Sequence, residues 1–367
     1  MHIVNYYTLH ERRVFVNKKS VLIIFGGNST EHEVSCKSVM NFVNNVSSDK
    51  YEKHYAGIKK NGDWVYYTGD TALIPTGEWV NESSNIPCVL SPNTLAKGLL
   101  LLDNNNTIIN IDVIIPVLHG KNGEDGTIQG LFELCHIPYV GCGVVASGTS
   151  MDKAFTKIIV DSLRTIPQAD YVLVKKGDDN SYIEKAETKL GYPMFVKPCK
   201  SGSSQGVSKA ENRAELNDAV ALALRHDSKV LIEEAISGRE LECAVLETKD
   251  GLICSNAGEA VAGDVFYSYE AKYNNADSKT VTAPELPEGV NDTIRQYAAE
   301  IFTILGGNGL SRIDFFLESG TNRVIFNEIN TLPGFTAISM YPMMMEVVGY
   351  PIEKLMDTLI ENASCGK

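Results

Sequence analysis

Val21-Leu-Ile-Ile-Phe25 is an unbroken apolar run ending at Gly26-Gly27. That is the pattern of a strand buried on both faces, followed by its turn. Thr30 and Glu33 have the spacing of a capping box, so a helix is predicted to begin near Thr30. Tyr55–Ile58 and Trp64–Tyr67 read as a strand and a following hairpin arm. Val113-Ile-Ile-Pro-Val-Leu118 reads as another buried strand, ending at His119-Gly120. Strand, glycine turn, helix and strand make one doubly wound α/β unit. After Ser150 the pattern changes. A helix over 151–163 leads to strands at 171–174, 194–197 and 229–233, with helical segments near 181–190 and 212–226 between them. From 240 to 330 the chain alternates as strands, with a helix over 291–305 and a closing hairpin. Residues 263–283 are polar, rich in tyrosine and too long for a simple connector, which suits a functional lid or a disordered segment. The predicted divisions are an extension over 1–19, an α/β domain over 20–149, a central domain over 150–238 and a C-terminal domain over 239–367.

Composition narrows the function classes. The 367 residues are 44% hydrophobic and 22% charged, the balance of a globular protein. The net charge of −13 argues against nucleic acid as a partner, because neutralising phosphates needs clustered Lys and Arg. No apolar run approaches the roughly 20 residues that span a bilayer, so no membrane association is expected. Eight cysteines are scattered without a CxxC pair, which suits free thiols in a reducing cytoplasm.

Several stretches could carry chemistry. Arg312-Ile-Asp314 and Glu328-Ile-Asn330 flank a Ser-Gly-Thr-Asn turn, so a hairpin puts each pair on one face of its strand. If those faces coincide, two carboxylates and an amide oxygen meet beside a cation. An all-oxygen donor set suits Mg²⁺, although an exposed hairpin face with cross-strand charge pairs has the same spacing. Thr331-Leu-Pro-Gly334 follows directly and would bring backbone N–H groups close by. Ser201-Gly-Ser-Ser-Gln-Gly-Val207 follows a strand ending Val196-Lys197-Pro198. It could close over phosphates or serve as an ordinary hairpin loop, and it lacks the spacing of a P-loop. Lys153 opens a helix and fits either a phosphate ligand or a solvated helix-end charge. Glu31 fits either an ammonium ligand or an acid complementing the helix dipole. His119-Gly-Lys-Asn-Gly-Glu-Asp-Gly126 lies at the carboxyl end of a buried strand, where α/β folds bind ligands, and it equally fits a tight loop of Asx and glycine turns. Glu233, Glu234, Ile236 and Glu240 either surround a hinge or form a charge run on a solvated face.

The order of the blocks says more than any one of them. Gly26-Gly-Asn-Ser-Thr-Glu31, His119–Gly126, Met151-Asp-Lys153, Val196-Lys-Pro198 with Gly202-Ser-Ser-Gln-Gly206, Tyr269-Glu-Ala-Lys-Tyr273, Arg312-Ile-Asp314 and Asn327–Gly334 together closely resemble the D-alanine–D-alanine ligases of the ATP-grasp superfamily. The resemblance covers about residues 20–360 and includes the related D-alanine–D-serine ligases.

It implies an ATP-grasp fold with an N-terminal doubly wound domain and a cytoplasmic homodimer acting on D-alanine and ATP. The activity implied is a carboxylate–amine ligation through a D-alanyl phosphate, supplying peptidoglycan precursors. By position, Glu31 would hold the first substrate's ammonium with Ser203 and Tyr273. Lys153, Lys197, Lys272, Ser203 and Ser204 fall at the ATP phosphates, and Glu233, Glu234, Ile236 and Glu240 at the adenine and ribose. Asp314, Glu328 and Asn330 match the ligands of two Mg²⁺ (or Mn²⁺) ions. Arg312 and the Gly334 N–H match the oxyanion site. His119, Ser339 and Met340 match substrate-binding positions. Tyr273 favours an amine acceptor over a hydroxyl. D-serine ligases commonly carry Arg where this chain has Met340, which leans toward D-alanine. Ile338, before Ser339, departs from the family pattern.

Overall fold

The computed structural model describes residues 18–261, 279–336 and 338–364. Three sheets organise them. In the first, β1 (Lys19–Gly26) lies between β2 (Tyr51–Ile58) and β7 (Val113–Val117), parallel to both. Strands β3 (Trp64–Tyr66), β4 (Ile86–Leu90), β5 (Leu99–Leu101) and β6 (Ile108–Ile109) extend the β2 edge as an antiparallel meander. Val21, Leu22, Ile23, Ile24 and Phe25 are all completely buried, as an unbroken apolar run in a central parallel strand requires. Their alternation divides two cores. Val21, Ile23 and Phe25 pack with Val39 and Phe42 of the first helix, and with Leu355, Met356 and Leu359 of the C-terminal helix Ile352–Ser364. Leu22 and Ile24 pack with Ile128 and Phe132 on the other face.

The second sheet runs β10 (Ser208–Ala210), β9 (Met194–Pro198), β11 (Lys229–Glu234), β8 (Tyr171–Lys175), all antiparallel. Helices Ser181–Lys189 and Arg213–His226 cover one face through Ile183, Ala186, Leu216, Val220 and Ala223. The third sheet is also antiparallel. Its spine is β12 (Gly238–Thr248), β16 (Leu310–Glu318) and β17 (Val324–Asn330), while β13 (Gly251–Cys254) and β14 (Gly258–Val261) pair with β12 and β15 (Lys279–Val281) pairs with β14. Ile313, Phe315 and Leu317 point to a core with Ile294, Ala298 and Ile301 of the helix Val290–Ile304. The period of two therefore sends Arg312, Asp314 and Phe316 to the opposite face, toward the second sheet.

Two local expectations are corrected. The first helix runs His32–Asn45 with Glu31 as its N-cap, and no side-chain capping bond forms there. The Thr30 hydroxyl instead accepts from Gln205 at 2.7 Å, and Glu33 pairs with Lys60. Contacts distant in sequence outcompete the capping box. The predicted helix over 151–163 forms as Lys153–Asp161, and a separate helix, Val144–Met151, runs up to its start. Asp152 breaks the run in an extended conformation, caps the second helix through Phe155 N–H and pairs with Lys229 at 2.5 Å. The lid prediction falls mostly on 262–278, outside the described residues, and so do Lys272 and Tyr273.

Candidate active site

Two adjoining cavities, of about 430 and 570 Å³, open where the three sheets meet. Lys153, Ser203, Glu242 and Glu328 line both. The smaller also takes Glu31, His119, Arg312, Asn330, Gly334, Ser339 and Met340. The larger takes Lys197, Ser204, Glu233, Glu234, Ile236, Glu240 and Asp314. The structure thus gathers every sequence-predicted site residue that it describes around one double cavity.

Glu31 is placed by the turn after β1, and backbone packs tightly against it. A Cβ on Gly120, at φ +70°, would stand 2.3 Å from Glu31 Oε2, and one on Gly202 would stand 3.4 Å away. Gly120 admits the carboxylate because it has no side chain, whereas a Cβ on Gly202 would only reach ordinary contact distance. Ser203 donates its hydroxyl to Glu31 Oε1 at 2.5 Å. Ser203 and Ser204 both hold positive φ, 52° and 57°. Non-glycine residues in that region cost about 1–2 kcal/mol each. The Ser203–Glu31 and Gln205–Thr30 bonds, which tie the loop to the start of the first helix, offset part of that cost.

The larger cavity is electrostatically organised by Glu233, which is 4% exposed. Lys157 reaches Oε1 at 2.7 Å and Lys197 reaches Oε2 at 2.5 Å. Burial alone would raise the Glu233 pKa, but the two ammonium groups pull it down to about 2. Burial likewise opposes the charge on Lys197, and Glu233 holds its pKa above the ordinary lysine value. Lys153 donates to Ser201 O at 2.8 Å and stands 3.6 Å from Glu328 Oε2.

On the hairpin, Arg312 lies opposite Asn330 and Asp314 opposite Glu328, so the two faces do coincide. Arg312 makes a bidentate pair with Asp314, Nε to Oδ1 at 2.8 Å and Nη2 to Oδ2 at 2.7 Å. Asn330 Nδ2 also donates to Asp314 Oδ2 at 3.0 Å. Burial disfavours the guanidinium charge, yet Asp314 and Glu242 hold its pKa well above normal. Asp314, Glu328 and Asn330 are an oxygen donor set of the kind a hard divalent cation takes. Among the described residues, no three His, Cys, Asp or Glu side chains are gathered in metal-holding geometry. Here the Asp314 oxygens turn to Arg312 and Asn330.

In the smaller cavity, His119 Nε2 lies 3.2 Å from Ser38 Oγ, and Glu124 stands 3.8 Å from its other nitrogen. Burial works against the imidazolium, and Glu124 more than offsets it, raising the His119 pKa. Ser339 Oγ accepts from Thr336 N–H at 3.0 Å. Met340 is buried at the start of the helix Met340–Val347, its Cε against Gly258.

Three residues escaped the sequence reading. Glu242, in β12, faces Arg312 at 3.3 Å. Its spacing of two from Glu240 in an alternating strand was the available signal. Lys157 lies one helical turn beyond Lys153, on the same face. Ser150 lines the smaller cavity with its hydroxyl buried and unpartnered among the described residues, which no sequence pattern announces.

The comparisons agree with this geometry. The family model described as D-ala D-ala ligase N-terminus matches residues 20–142, and D-ala D-ala ligase C-terminus matches 162–361. The chain belongs to the D-alanine–D-alanine ligase family. It is 48% identical over 365 residues to D-alanine–D-alanine ligase of Acetivibrio thermocellus, covering 94% of this chain and 96% of that relative. Among solved structures, VanG D-Ala:D-Ser ligase from Enterococcus faecalis superposes with a TM-score of 0.87 at 39% identity, covering 94% of this chain and 99% of that one. D-alanine–D-alanine ligase from Coxiella burnetii gives 0.83 at 32%, covering 95% and 96%. Members of this ligase family use ATP and divalent metal, which matches a double cavity lined by both lysines and carboxylates.

Proposed function

We propose that this chain joins two D-alanines into D-alanyl-D-alanine at the expense of ATP, through a D-alanyl phosphate, to supply cell-wall precursors. The observation that carries the reading is the Glu31–Ser203 bond. It holds the Glu31 carboxylate at the edge of a cavity whose other lining groups suit a phosphorylated carboxylate, which supports reading Glu31 as the ammonium ligand.

In this reading ATP occupies the larger cavity. Glu233 faces the adenine with Glu234 and Ile236, and Glu240 takes the ribose. Lys153, Lys197, Ser203, Ser204 and Lys272 hold the phosphates. The first D-alanine sits in the smaller cavity, its ammonium on Glu31 with Ser203 and Tyr273, and His119 beside it. Its carboxylate oxygen attacks the γ-phosphorus, and the bond to the ADP oxygen breaks. Two anions meet in that step, so the lysines offset repulsion that would otherwise raise the barrier. The neutral amine of the second D-alanine then attacks the acyl carbon, giving a tetrahedral oxyanion; the acyl C–O bond to phosphate breaks, the amine gives up one proton, and the released phosphate carries it away. Arg312 and the Gly334 N–H stabilise that oxyanion, at about 3–4 kcal/mol per donor in comparable sites. Asp314, Glu328 and Asn330 would hold two Mg²⁺ or Mn²⁺ ions, which supply charge neutralisation at the transferring phosphoryl group. The 263–283 segment acts as the lid that keeps water from the acyl phosphate.

Ser339 and Met340 cradle the acceptor. Met340 is buried and apolar where a D-serine hydroxyl would need a partner, which favours D-alanine. The D-serine alternative draws on the likeness to VanG, and the exposed Ile338 beside Ser339 is the residue to change in pursuing it. Domain divisions after residues 19, 149 and 238, a cytoplasmic setting and a homodimer complete the proposal. The seven described cysteines are all free thiols, in keeping with a reducing compartment. Phosphate release from ATP is expected to require both Mg²⁺ and D-alanine. Glu31→Gln is expected to abolish dipeptide synthesis while ADP binding persists. Undiminished synthesis in that variant would remove Glu31 from the mechanism.

A further inference from the structure

The start of the helix Lys153–Asp161 closes a ring of contacts with the second sheet. Lys229, the first residue of β11, donates from its ammonium to Asp152 Oδ2 at 2.5 Å. Its carbonyl accepts from Cys199 N–H at 2.9 Å, and Cys199 O accepts from Lys153 N–H at 3.0 Å. Asp152 and Lys153 are covalent neighbours, which completes the circuit. The Lys229 ammonium also lies 4.0 Å from the centre of the Phe155 ring, one helical turn beyond Asp152 on the same face. Ala154, Cys199 and Leu231 pack beside these contacts as a small buried cluster.

Cys199 continues the pairing of β9 with β11 by one rung, immediately before the Ser201–Val207 loop. The ring therefore fixes a backbone point at the base of that loop against one at the head of the helix. Lys153 bridges the same two elements with its side chain. Its Nζ donates to Ser201 O at 2.8 Å, and it lines both cavities. A lysine stem is flexible, so where its ammonium stands depends on where its backbone is held. Asp152 is completely buried, and a buried carboxylate must be paired; Lys229 supplies the partner. We propose that Lys229 is a positioning residue for Lys153. Through Asp152 and Cys199 it sets the head of the helix against the loop, so that the Lys153 ammonium meets the ATP phosphates. The inference rests on the ligase reading of Lys153 and adds Lys229 and Asp152 to it.

The readout is the Kd of β,γ-imido-ATP, a non-hydrolysable analogue, measured with Mg²⁺ by calorimetry on the full-length protein. Lys229→Met removes the cation and keeps the apolar stem. It is expected to weaken binding about 10-fold, below the roughly 100-fold that 1 Å of misplacement can cost. Lys153→Met is expected to weaken binding by itself. Because Lys229 acts through Lys153, adding Lys229→Met to Lys153→Met is expected to cost no more than about 2-fold further, the scatter of independent effects. An equal loss in both backgrounds would make the pair a structural brace and overturn the proposal. Lys229→Met strands a buried carboxylate. Should it fail to fold, Asp152→Asn combined with Lys229→Met leaves neither charge alone and retains a capping side chain. The same masking by Lys153→Met is expected from that pair, and additive or absent losses would again overturn the proposal. Undiminished binding in Lys153→Met would defeat the phosphate role of Lys153 itself. A loss in Lys153→Met with none in Lys229→Met would defeat only the role of Lys229.

Discussion

Lys157→Met tests the electrostatic core beneath the larger cavity. Lys157 is 2% exposed, and its ammonium is shared between Glu233 Oε1 at 2.7 Å and Ala169 O at 3.3 Å. Burial would push the Glu233 pKa above 4.5, yet Lys157 and Lys197 bring it to about 2. At about 1.36 kcal/mol per pH unit, that depression is worth ~3 kcal/mol of net stabilisation of the carboxylate. Losing Lys157 leaves Lys197 in place, so the expected cost is ~2 kcal/mol, below the 3–5 kcal/mol of a buried charge stripped of its whole partner set. Methionine keeps the length and apolar volume of the stem, which confines the change to charge. The assay is urea unfolding at neutral pH, repeated toward pH 3. A depressed carboxylate contributes stability that is full above the unfolded pKa near 4.5 and is lost as pH falls toward 2. In the variant the Glu233 pKa moves up toward the unfolded value, so its share of the acid loss is smaller and is complete at a higher pH. KM for ATP is expected to rise about 10-fold with kcat nearly constant, because the carboxylate proposed to face the adenine loses its orientation. Wild-type urea midpoints at both pH extremes, together with an unchanged KM, would refute the reasoning.

Two further substitutions probe the smaller cavity. Gly120→Ala forces a side chain into a positive-φ position, at about 1–2 kcal/mol, and drives a methyl against Glu31 Oε2. We expect a modest loss in thermal unfolding but at least a 100-fold loss in kcat/KM for D-alanine, and equal proportional losses would contradict the placement of Glu31. Ser150→Ala removes a buried hydroxyl that has no partner among the described residues, so unfolding of the free enzyme is expected to cost the same or more. Ligand-induced stabilisation by D-alanine with ATP should shrink, and a destabilised free enzyme would show that the hydroxyl is structural.

The legible parts of the fold were those written in local period. Continuous apolar runs located β1 and β7, and alternation located the hairpin whose faces carry Arg312, Asp314, Glu328 and Asn330. Order along the chain identified the family, because each block alone had a plain alternative. Less legible was whatever depends on distant contacts. Thr30 has a capping spacing, but its hydroxyl is drawn to Gln205, 175 residues away. The break at Asp152 follows from Lys229 on a neighbouring strand, which the helical pattern of 151–163 could not reveal. Lys157 and Glu242 looked like ordinary charges on a helix and a strand until tertiary packing buried them beside Glu233 and Arg312. The C-terminal helix closing over the first sheet likewise appears only in three dimensions.

The most direct test of the central claim is the product formed from ATP and Mg²⁺ with equal D-alanine and D-serine, identified by mass. D-alanyl-D-alanine as the dominant product, with one phosphate released per dipeptide, is the predicted result. A dominant D-alanyl-D-serine would contradict the reading of Met340, and phosphate release without any dipeptide would contradict the ligase account itself.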